Sequence, residues 1–410
     1  MAALNQTPKT IVNGQIVTPD GICHGTLLIE QGKIQEIRKE GQASERIQAA
    51  MQSGEAIDAQ DSWVVPGFID VHVHGAIGYD FTDENLEAIE EVCRFHASHG
   101  TTSLLPTVRT QSNESILASL KSVGQAINLA REKLETGMLQ GALPLGIHLE
   151  GPFLSKAHRG AQREEFLQAP SLAKMKAWQE AADGKLKLVT LAPELDGAAE
   201  IIRWLVQQGI AVSAGHSGAT YEEMKEGVAQ GVRHMTHFYN GMRAFNHRDP
   251  GLLAAGWLDE HVSVEVIYDG HHVHDAAIEL LLRLKSPDKI LLVTDAVRPA
   301  GLPDGELVQE DGPRLFVKDG IVRLASGTLA GSTLTMNQAF YHLIDRLGVP
   351  IEKAVRLASE APAKLTGNWP RKGSIEQGKD ADLVIITSSG EVQHTICEGQ
   401  VIYKQGHSPR

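Results

Sequence analysis

Histidines and carboxylates stand inside or at the end of several apolar runs, where a buried polar group needs a partner. His72 and His74 lie two positions apart in the run of residues 68–75. Side chains two apart share one face of a β-strand, and buried imidazoles are costly unless they are hydrogen-bonded or bind a metal. Further ionisable side chains end later runs: Glu150, His216, His237 and Asp295. Imidazoles and carboxylates together suit Zn²⁺ or Fe²⁺.

A divalent ion held by such groups predicts metal-dependent hydrolysis. With one open position, the ion lowers the pKa of a bound water to near neutral and can polarise a carbonyl oxygen. Asp295 is the best candidate for the general base, because one carboxylate beside that water could take its proton and later deliver it to the leaving group. The field of the metal would keep Asp295 ionised. The alternative role for Asp295 is a carboxylate that only orients His72 or His237.

These residues need a scaffold that brings the ends of several strands together. Apolar runs that alternate with segments of helical spacing predict a (β/α)8 barrel of parallel strands, whose active sites lie at the carboxyl ends. An open doubly wound sheet is the rival fold, but it does not predict polar chemistry at the end of nearly every strand. The predicted strands span residues 67–75, 101–108, 143–151, 186–193, 210–217, 234–240, 262–270 and 290–296. The predicted helices span residues 85–96, 112–133, 172–182, 198–208, 221–230 and 275–284.

The two ends of the chain have a different pattern. Short apolar-polar alternations with glycine turns predict strands in four segments: residues 10–17, 25–37, 382–388 and 392–403. We therefore predict an α/β protein with a small β-sandwich domain, built from residues 1–64 and 369–410, and a barrel domain of residues 65–368. Residues 301–330 have a hairpin pattern and predict an excursion before the last barrel helix.

Composition excludes several classes of protein. A hydrophobic content of 42% and a charged content of 22% are typical of soluble globular proteins. No run approaches the roughly 18 apolar residues that span a bilayer, and the first residues lack the apolar core of a signal peptide. The net charge of −13 argues against nucleic acid. Three scattered cysteines, Cys23, Cys93 and Cys397, do not make a disulfide framework. We expect a cytoplasmic protein without a membrane partner.

The motifs, taken together, resemble the N-acetylglucosamine-6-phosphate deacetylase family of the amidohydrolase superfamily. They occur in the order of the family over nearly the whole chain. The matching segments are residues 66–70 with His72 and His74, then 148–153, 212–217, 236–242, 249–251, 269–272, 292–296, 327–332 and 378–383. The resemblance implies hydrolysis of the N-acetyl amide of N-acetylglucosamine 6-phosphate, which releases glucosamine 6-phosphate and acetate.

The resemblance also implies roles for the ionisable residues. Asp295 would be the acid and base of the reaction. One or two divalent ions per subunit, Zn or Fe, would be bound by two sets of side chains: Glu150, His216 and His237 for the main ion, and His72 and His74 for a second ion.

For the substrate, an amino-sugar phosphate, the implied contacts are less specific. Backbone groups of Asn240 and Gly241 and the side chain of Arg248 would bind the phosphate, whose geometry suits a guanidinium group. His272 would bind the sugar or polarise the amide carbonyl, and Leu329 and Ala330 would line the sugar. The resemblance implies a homodimer, in which Arg248 or His272 could reach the substrate of the neighbouring subunit.

One position departs from the pattern of the family. Gln162 follows Gly160 and Ala161, where many members have a histidine. Glutamine can donate and accept hydrogen bonds to a sugar hydroxyl but carries no charge. We therefore expect a changed affinity or preference among N-acyl sugar phosphates, and an unchanged reaction.

The remaining histidines of interest are expected outside the reaction. His96 and His99 lie on a predicted helix. His148 lies deeper than Glu150 on the same strand face and is expected to support the metal ligands. His234 is three positions from His237, so we expect it to face away from the barrel interior.

Two alternative functions stay open at this stage. Another amidohydrolase could act on a cyclic amide, an N-acyl amino acid or a dipeptide, and only Arg248 and the turn at Asn240 and Gly241 argue for a phosphorylated substrate. A barrel that has lost catalysis and serves as a scaffold is the other alternative, which the complete ligand set with Asp295 opposes.

Overall fold

The computed structural model describes residues 8–308 and 314–406 of the chain. Its largest part is a barrel of parallel strands in the order β6, β9, β11, β12, β13, β14, β15, β16. The barrel strands are β6 (Phe68–Val73), β9 (Thr101–Val108), β11 (Ile147–Glu150), β12 (Leu186–Leu191), β13 (Ala211–Ala214), β14 (His234–Met235), β15 (Ser263–Val266) and β16 (Ile290–Leu292). Every residue of β6 and β9 is buried, as parallel strands covered by helices require.

Contacts between the last and first barrel strands close the barrel. The Asp295 backbone N–H donates to the His72 carbonyl at 2.8 Å, and the His74 N–H donates to the Ala296 carbonyl at 2.8 Å. The Thr294 hydroxyl also donates to the Asp70 carboxylate at 2.6 Å. The predicted barrel is therefore confirmed, and its closure brings His72 and His74 beside Asp295.

Helices surround the barrel and connect its strands. The capping box before the helix Tyr221–Gln230, in which Thr220 and Glu223 satisfy each other's backbone N–H groups, is one sequence signal that fixes where a helix begins. The helices are α2 (Leu86–Ser98), α3 (Asn113–Glu135), α4 (Leu172–Ala181), α5 (Ala198–Gln207), α6 (Tyr221–Gln230), α7 (Gly251–Leu258), α8 (Asp275–Leu284), α9 (Met336–Leu347), α10 (Ile351–Val355) and α11 (Ala361–Leu365). Among the described residues, no helix has the length and apolar character needed to cross a bilayer.

The two ends of the chain form one further sheet, in the order β23, β22, β21, β5, β1, β2, β3 with β4 beside β1. Its elements are β1 (Lys9–Thr18), β2 (Gly21–Glu30), β3 (Lys33–Lys39), α1 (Glu45–Ser53), β4 (Glu55–Asp58), β5 (Trp63–Pro66), β21 (Leu383–Ile386), β22 (Val392–Cys397) and β23 (Gln400–Lys404). The sheet folds over one apolar core that includes Ile11, Ile34 and Leu383. The predicted β unit from both termini is confirmed, whereas its exact domain limits stay a prediction.

The segment after β16 departs from the barrel before α9 begins. It forms an antiparallel sheet of β17 (Gly305–Leu307), β18 (Leu315–Lys318), β19 (Ile321–Leu324) and β20 (Leu329–Ser332). Two very short antiparallel strands, β7 (Gly75–Ala76) and β8 (Tyr79–Asp80), follow β6, and β10 (Leu143–Pro144) adds to β9. The antiparallel sheet and the β7–β8 pair lie at the carboxyl end of the barrel, whereas β10 pairs with Ser103 and Leu104 in the first half of β9.

Candidate active site at the carboxyl end of the barrel

The candidate site residues lie at the ends of barrel strands, where the backbone turns away from the sheet. His216, His237 and Asp295 all follow a strand and have positive φ angles of 49°, 32° and 46°. A side chain in this left-handed region costs about 1–3 kcal/mol, and such strain is found mainly at functional sites. Several predicted strands ran too far for this reason: β14 ends at Met235, whereas the apolar run of the sequence continues past His237.

The structure brings Glu150, His216 and His237 together. The Nε2 atoms of the two histidines are 3.1 Å apart and lie 3.1 and 3.3 Å from Glu150 Oε1. Ligands about 2.0–2.1 Å from a tetrahedral ion would be about 3.3–3.4 Å from one another. The three atoms therefore have nearly the spacing that one shared divalent ion requires.

A second cluster lies on the other side of Glu150. His72 Nε2 is 3.2 Å from His74 Nε2, and both lie close to Asp295 Oδ1, at 3.5 and 3.2 Å. Glu150 links the clusters, because its Oε1 is 3.6 Å from His72 Nε2 and its Oε2 is 3.5 Å from His74 Nε2. Both groups of three can hold a metal ion by their distances. Glu150 thus lies between the two clusters, with carboxylate oxygens within 3.6 Å of histidine nitrogens of both.

The hydrogen bonds of the Nδ1 atoms decide which nitrogen of each imidazole carries the lone pair. His216 Nδ1 donates to the His158 carbonyl at 2.9 Å, and His237 Nδ1 donates to the Asn240 carbonyl at 3.1 Å. In a neutral imidazole the Nε2 atoms then carry the lone pairs, and these two atoms lie 3.1 Å apart with no proton between them. Two such nitrogens repel each other unless a cation binds both, so the donor set fits a metal ion.

Electrostatics at the site point in the same direction. Burial alone would lower the pKa of His72, but the carboxylates of Asp295, Glu265 and Glu150 raise it to about 10. Burial would raise the pKa of Asp295 and of Glu150, yet the nearby histidines, His72 foremost, hold both below their ordinary values. The buried carboxylates thus stay ionised and require positive charge beside them.

A cavity of about 330 Å³ opens over the two clusters. Six of the seven predicted substrate-contact residues line it: Gln162, Asn240, Gly241, His272, Leu329 and Ala330. The exception is Arg248, an exposed residue whose guanidinium Nη1 lies 3.0 Å from His247 Nε2. Arg248 therefore lies outside the cavity of its own chain.

Gln162 and His272 have specific partners within the cavity. Gln162 Nε2 donates to Glu150 Oε2 at 2.6 Å, so this side chain holds the carboxylate that links the two clusters. His272 Nδ1 lies 2.7 Å from Asp269 Oδ2, which fixes the orientation of the ring.

Three arginines of the cavity wall were missed by the sequence reasoning: Arg109, Arg163 and Arg298. Arg109 Nη1 lies 3.1 Å from the fully buried Asp80, and Arg298 Nη1 lies 2.7 Å from Asp83. These residues follow strands or lie in loops, and nothing in their local sequence distinguishes them from surface arginines.

The remaining histidines differ in how well they were predicted. His96 lies on α2 away from the site, with Nε2 3.4 Å from the Gly75 carbonyl, and His99 caps that helix. His148 lies deeper than Glu150, its Nε2 2.8 Å from Thr190 Oγ1 and its ring edge-on to His72.

The prediction for His234 was wrong. Its ring lies in the barrel interior, with Nε2 3.0 Å from Glu265 Oε1, and it is fully buried. Counting by strand spacing from His237 failed because the strand ends at Met235, before His237 is reached. Glu265 was missed altogether, although a carboxylate between two valines of a buried strand is a signal that could have found it.

Known proteins share the sequence features of this chain, and they define the family to which it belongs. The sequence model of the amidohydrolase family matches residues 63–402. The chain therefore belongs to the amidohydrolase family and is a hydrolase.

The relatives of the chain indicate the branch of that family to which it belongs. The chain is 37% identical to an N-acetylglucosamine-6-phosphate deacetylase of Bacillus subtilis (strain 168), over 95% of both sequences. It is 36% identical to an N-acetylgalactosamine-6-phosphate deacetylase of Escherichia coli O157:H7, over 82% of this chain and 86% of the relative. The crystal structure of N-acetylglucosamine-6-phosphate deacetylase from Pasteurella multocida is similar with a TM-score of 0.87 and 30% identity, covering 96% of this chain and 99% of that one. The branch is that of the amino-sugar 6-phosphate deacetylases.

Proposed function

We propose that this protein hydrolyses the N-acetyl amide of N-acetylglucosamine 6-phosphate, giving glucosamine 6-phosphate and acetate. One observation carries the proposal: two histidine–carboxylate clusters meet at Glu150 beneath a cavity, in a chain whose relatives are deacetylases of such sugars. The reaction adds the oxygen of water to the acetyl carbon and breaks the bond from that carbon to the sugar nitrogen.

We assign one divalent ion, Zn or Fe, to Glu150, His216 and His237, and a second ion to His72 and His74. Their distances and their lone pairs support this assignment. An ion bound there would polarise the amide carbonyl and make water acidic enough to ionise near neutral pH.

Asp295 is the residue that we assign to proton transfer. Its Oδ1 lies 3.2 Å from His74 Nε2, and it lines the cavity, where a water and an amide can both approach. The nearby imidazoles lower its pKa, so the carboxylate is ionised and able to accept the proton of the attacking water. It then delivers that proton to the sugar nitrogen as the C–N bond breaks.

We assign the phosphate to backbone groups of Asn240 and Gly241 together with Arg248, and the sugar to His272, Gln162, Leu329 and Ala330. Arg248 lies outside the cavity of its own chain, which supports a homodimer in which it reaches the substrate of the partner. His272 lines the cavity of its own chain, which supports a role there. The cysteines Cys23, Cys93 and Cys397 are free, which supports a cytoplasmic location.

Acetate release by metal-loaded protein tests the proposal, with N-acetylglucosamine 6-phosphate, its galactose epimer and unphosphorylated N-acetylglucosamine as substrates. We expect kcat/KM to be highest for N-acetylglucosamine 6-phosphate and at least about 100-fold lower without the phosphate, since each lost charge-assisted contact costs about 1.5–3 kcal/mol. A chelator-treated sample is the control.

Each of the other outcomes corrects a different part of the proposal. Equal rates with and without the phosphate would contradict phosphate recognition. A higher kcat/KM for the galactose epimer would move the substrate to N-acetylgalactosamine 6-phosphate, the substrate named for one relative. Full activity after chelation would contradict the proposed requirement for a bound metal ion.

A further inference from the structure

Glu265 lies on β15 beneath the two clusters, and its carboxylate contacts histidines rather than lysines or arginines. The side chain is fully buried. Oε1 accepts a hydrogen bond from His234 Nε2 at 3.0 Å, and Oε2 accepts one from His72 Nδ1 at 2.9 Å. Oε2 also accepts the backbone N–H of His237 at 3.0 Å. One carboxylate thus contacts a residue of each cluster.

The contact between Glu265 Oε2 and His72 Nδ1 fixes the tautomer of the His72 ring. A carboxylate only accepts hydrogen bonds, so the proton of a neutral His72 stays on Nδ1 and the lone pair on Nε2. Nε2 is the atom that lies 3.2 Å from His74 Nε2 and 3.5 Å from Asp295 Oδ1. Glu265 therefore directs the lone pair of His72 toward the other members of its cluster.

The contact between Glu265 Oε2 and the N–H of His237 acts on the backbone of that residue. That residue has a φ of 32°, a conformation that persists only where surrounding contacts hold it. The hydrogen bond from its N–H to Glu265 is such a contact, and it aims the ring so that Nε2 lies 3.3 Å from Glu150 Oε1. Glu265 therefore also helps to place a member of the second cluster.

Residues deeper in the barrel hold Glu265 in one orientation. His234 Nε2 donates to Glu265, so Nδ1 of a neutral His234 is an acceptor, and it lies 2.7 Å from Ser263 Oγ. Ser263, His234, Glu265 and His72 form a continuous chain of hydrogen bonds that ends at the cluster of His72, His74 and Asp295. Such chains orient metal ligands and make them stronger bases.

We propose that Glu265 is a positioning residue that couples the two clusters, because it sets the ring form of His72 and the backbone of His237 at once. This inference rests on the proposed metal centre. It gives a buried carboxylate outside both ligand sets the role of orienting one ligand in each set.

Glu265→Gln is the variant that tests this role with little change of shape. The glutamine amide has one acceptor oxygen. If that oxygen faces His72 and His237, the negative charge is still lost; if the NH₂ group faces them, it opposes two N–H donors. We expect the affinity for metal to fall about 10–100-fold, as is typical when the carboxylate behind a metal-bound histidine is removed.

The experiment is a titration of metal-free protein with Co²⁺, followed by visible absorption and without substrate. The proteins are wild type, Glu265→Gln, Glu265→Asp and the control Ser263→Ala. The control removes a buried hydroxyl that contacts the far side of His234 and the Arg233 carbonyl. Thermal unfolding of the metal-free proteins reports whether each one folds. We expect both Glu265 variants to bind each Co²⁺ more weakly with altered absorption bands, and Ser263→Ala to bind within about threefold of wild type, since its link to His72 is indirect.

The outcomes separate this inference from the proposed metal centre. If the Glu265→Gln variant folds and binds Co²⁺ with the affinity and absorption bands of wild type, this inference is overturned while the proposed metal centre stands. Should that variant not fold, Glu265→Asp, which keeps the charge but is one methylene shorter, decides in the same way. Wild type that binds no Co²⁺ overturns the metal centre and the inference together.

Discussion

Two regions of the protein each bury several charged side chains, one around Lys372 beside the terminal sheet and one around Glu150 at the carboxyl end of the barrel. Lys372 is 1% exposed, and its Nζ lies 2.6 Å from Asp382 and 3.0 Å from Glu398. Arg371 contacts Asp380 at 2.7 Å. Each carboxylate of this cluster meets a permanently charged lysine or arginine.

The cluster around Glu150 has a different charge balance. Among residues 8–308 and 314–406, the side chains that contact its carboxylates are histidines and one glutamine. Histidine nitrogens within it lie 3.1 and 3.2 Å apart. The positive charge that these groups need has to come from protons or from a bound cation. The comparison teaches that a balanced buried cluster stabilises the fold, whereas a buried cluster short of positive charge is built to bind.

Asp295→Asn should produce the largest effect of all, a loss of catalytic rate. The amide cannot accept the proton of the attacking water, so we expect kcat for acetate release to fall about 10²–10⁴-fold. The variant is nearly the same shape, and its circular dichroism spectrum should match wild type. Turnover close to that of wild type would contradict the role of Asp295.

Lys372→Met should produce the largest effect on stability. Removing Lys372 leaves the buried carboxylate of Asp382 without its lysine, although Glu398 keeps its contacts with Arg371 and Arg131. Breaking a buried ion pair in this way typically costs about 3–5 kcal/mol. The control is Lys33→Met, whose side chain is 39% exposed while it contacts Asp380; such a pair contributes up to about 1 kcal/mol. Urea unfolding measures both, and equal losses would contradict the comparison.

Acid should weaken the terminal cluster. Burial raises the pKa values of Asp380 and Glu398, but the neighbouring lysines and arginines, Lys372 foremost, together lower them by more, so both lie below their ordinary values. A carboxylate with a lowered pKa contributes stability above its unfolded pKa of about 4 and loses that contribution as pH falls through the lower folded value.

We therefore expect the unfolding midpoint of metal-free wild type to fall steeply below about pH 4. In Lys372→Met the decline should be shallower, because the main favourable charge on both carboxylates is gone. Midpoints measured from pH 6 to pH 3 test this, and parallel curves for the two proteins would refute it.

Gln162→Ala should produce the smallest effect. It removes the hydrogen bond to Glu150 Oε2, but water in the cavity can replace the amide, so we expect metal affinity to fall by about tenfold or less. The matched control is Gln111→Ala, because Gln111 lines the same cavity and its buried Nε2 meets no acceptor among residues 8–308 and 314–406. Equal effects on Co²⁺ affinity would mean that Gln162 does not support Glu150.

The sequence predicted the barrel and the meeting of the clusters because both depend on spacing. Polar residues two apart in β6, and single ones at later strand ends, follow directly from strand geometry. The position of His234 and the role of Glu265 did not follow, because they depend on where β14 ends and on a contact across the barrel. The link from Gln162 to Glu150 passes through an irregular loop, whose path no periodic pattern fixes.

Anomalous diffraction from crystals of metal-reconstituted protein tests the central claim most directly. We predict a peak about 2.0–2.2 Å from the Nε2 atoms of His216 and His237 and from a Glu150 carboxylate oxygen. A structure in which the metal lies elsewhere, or in which these three side chains bind none, would contradict the account.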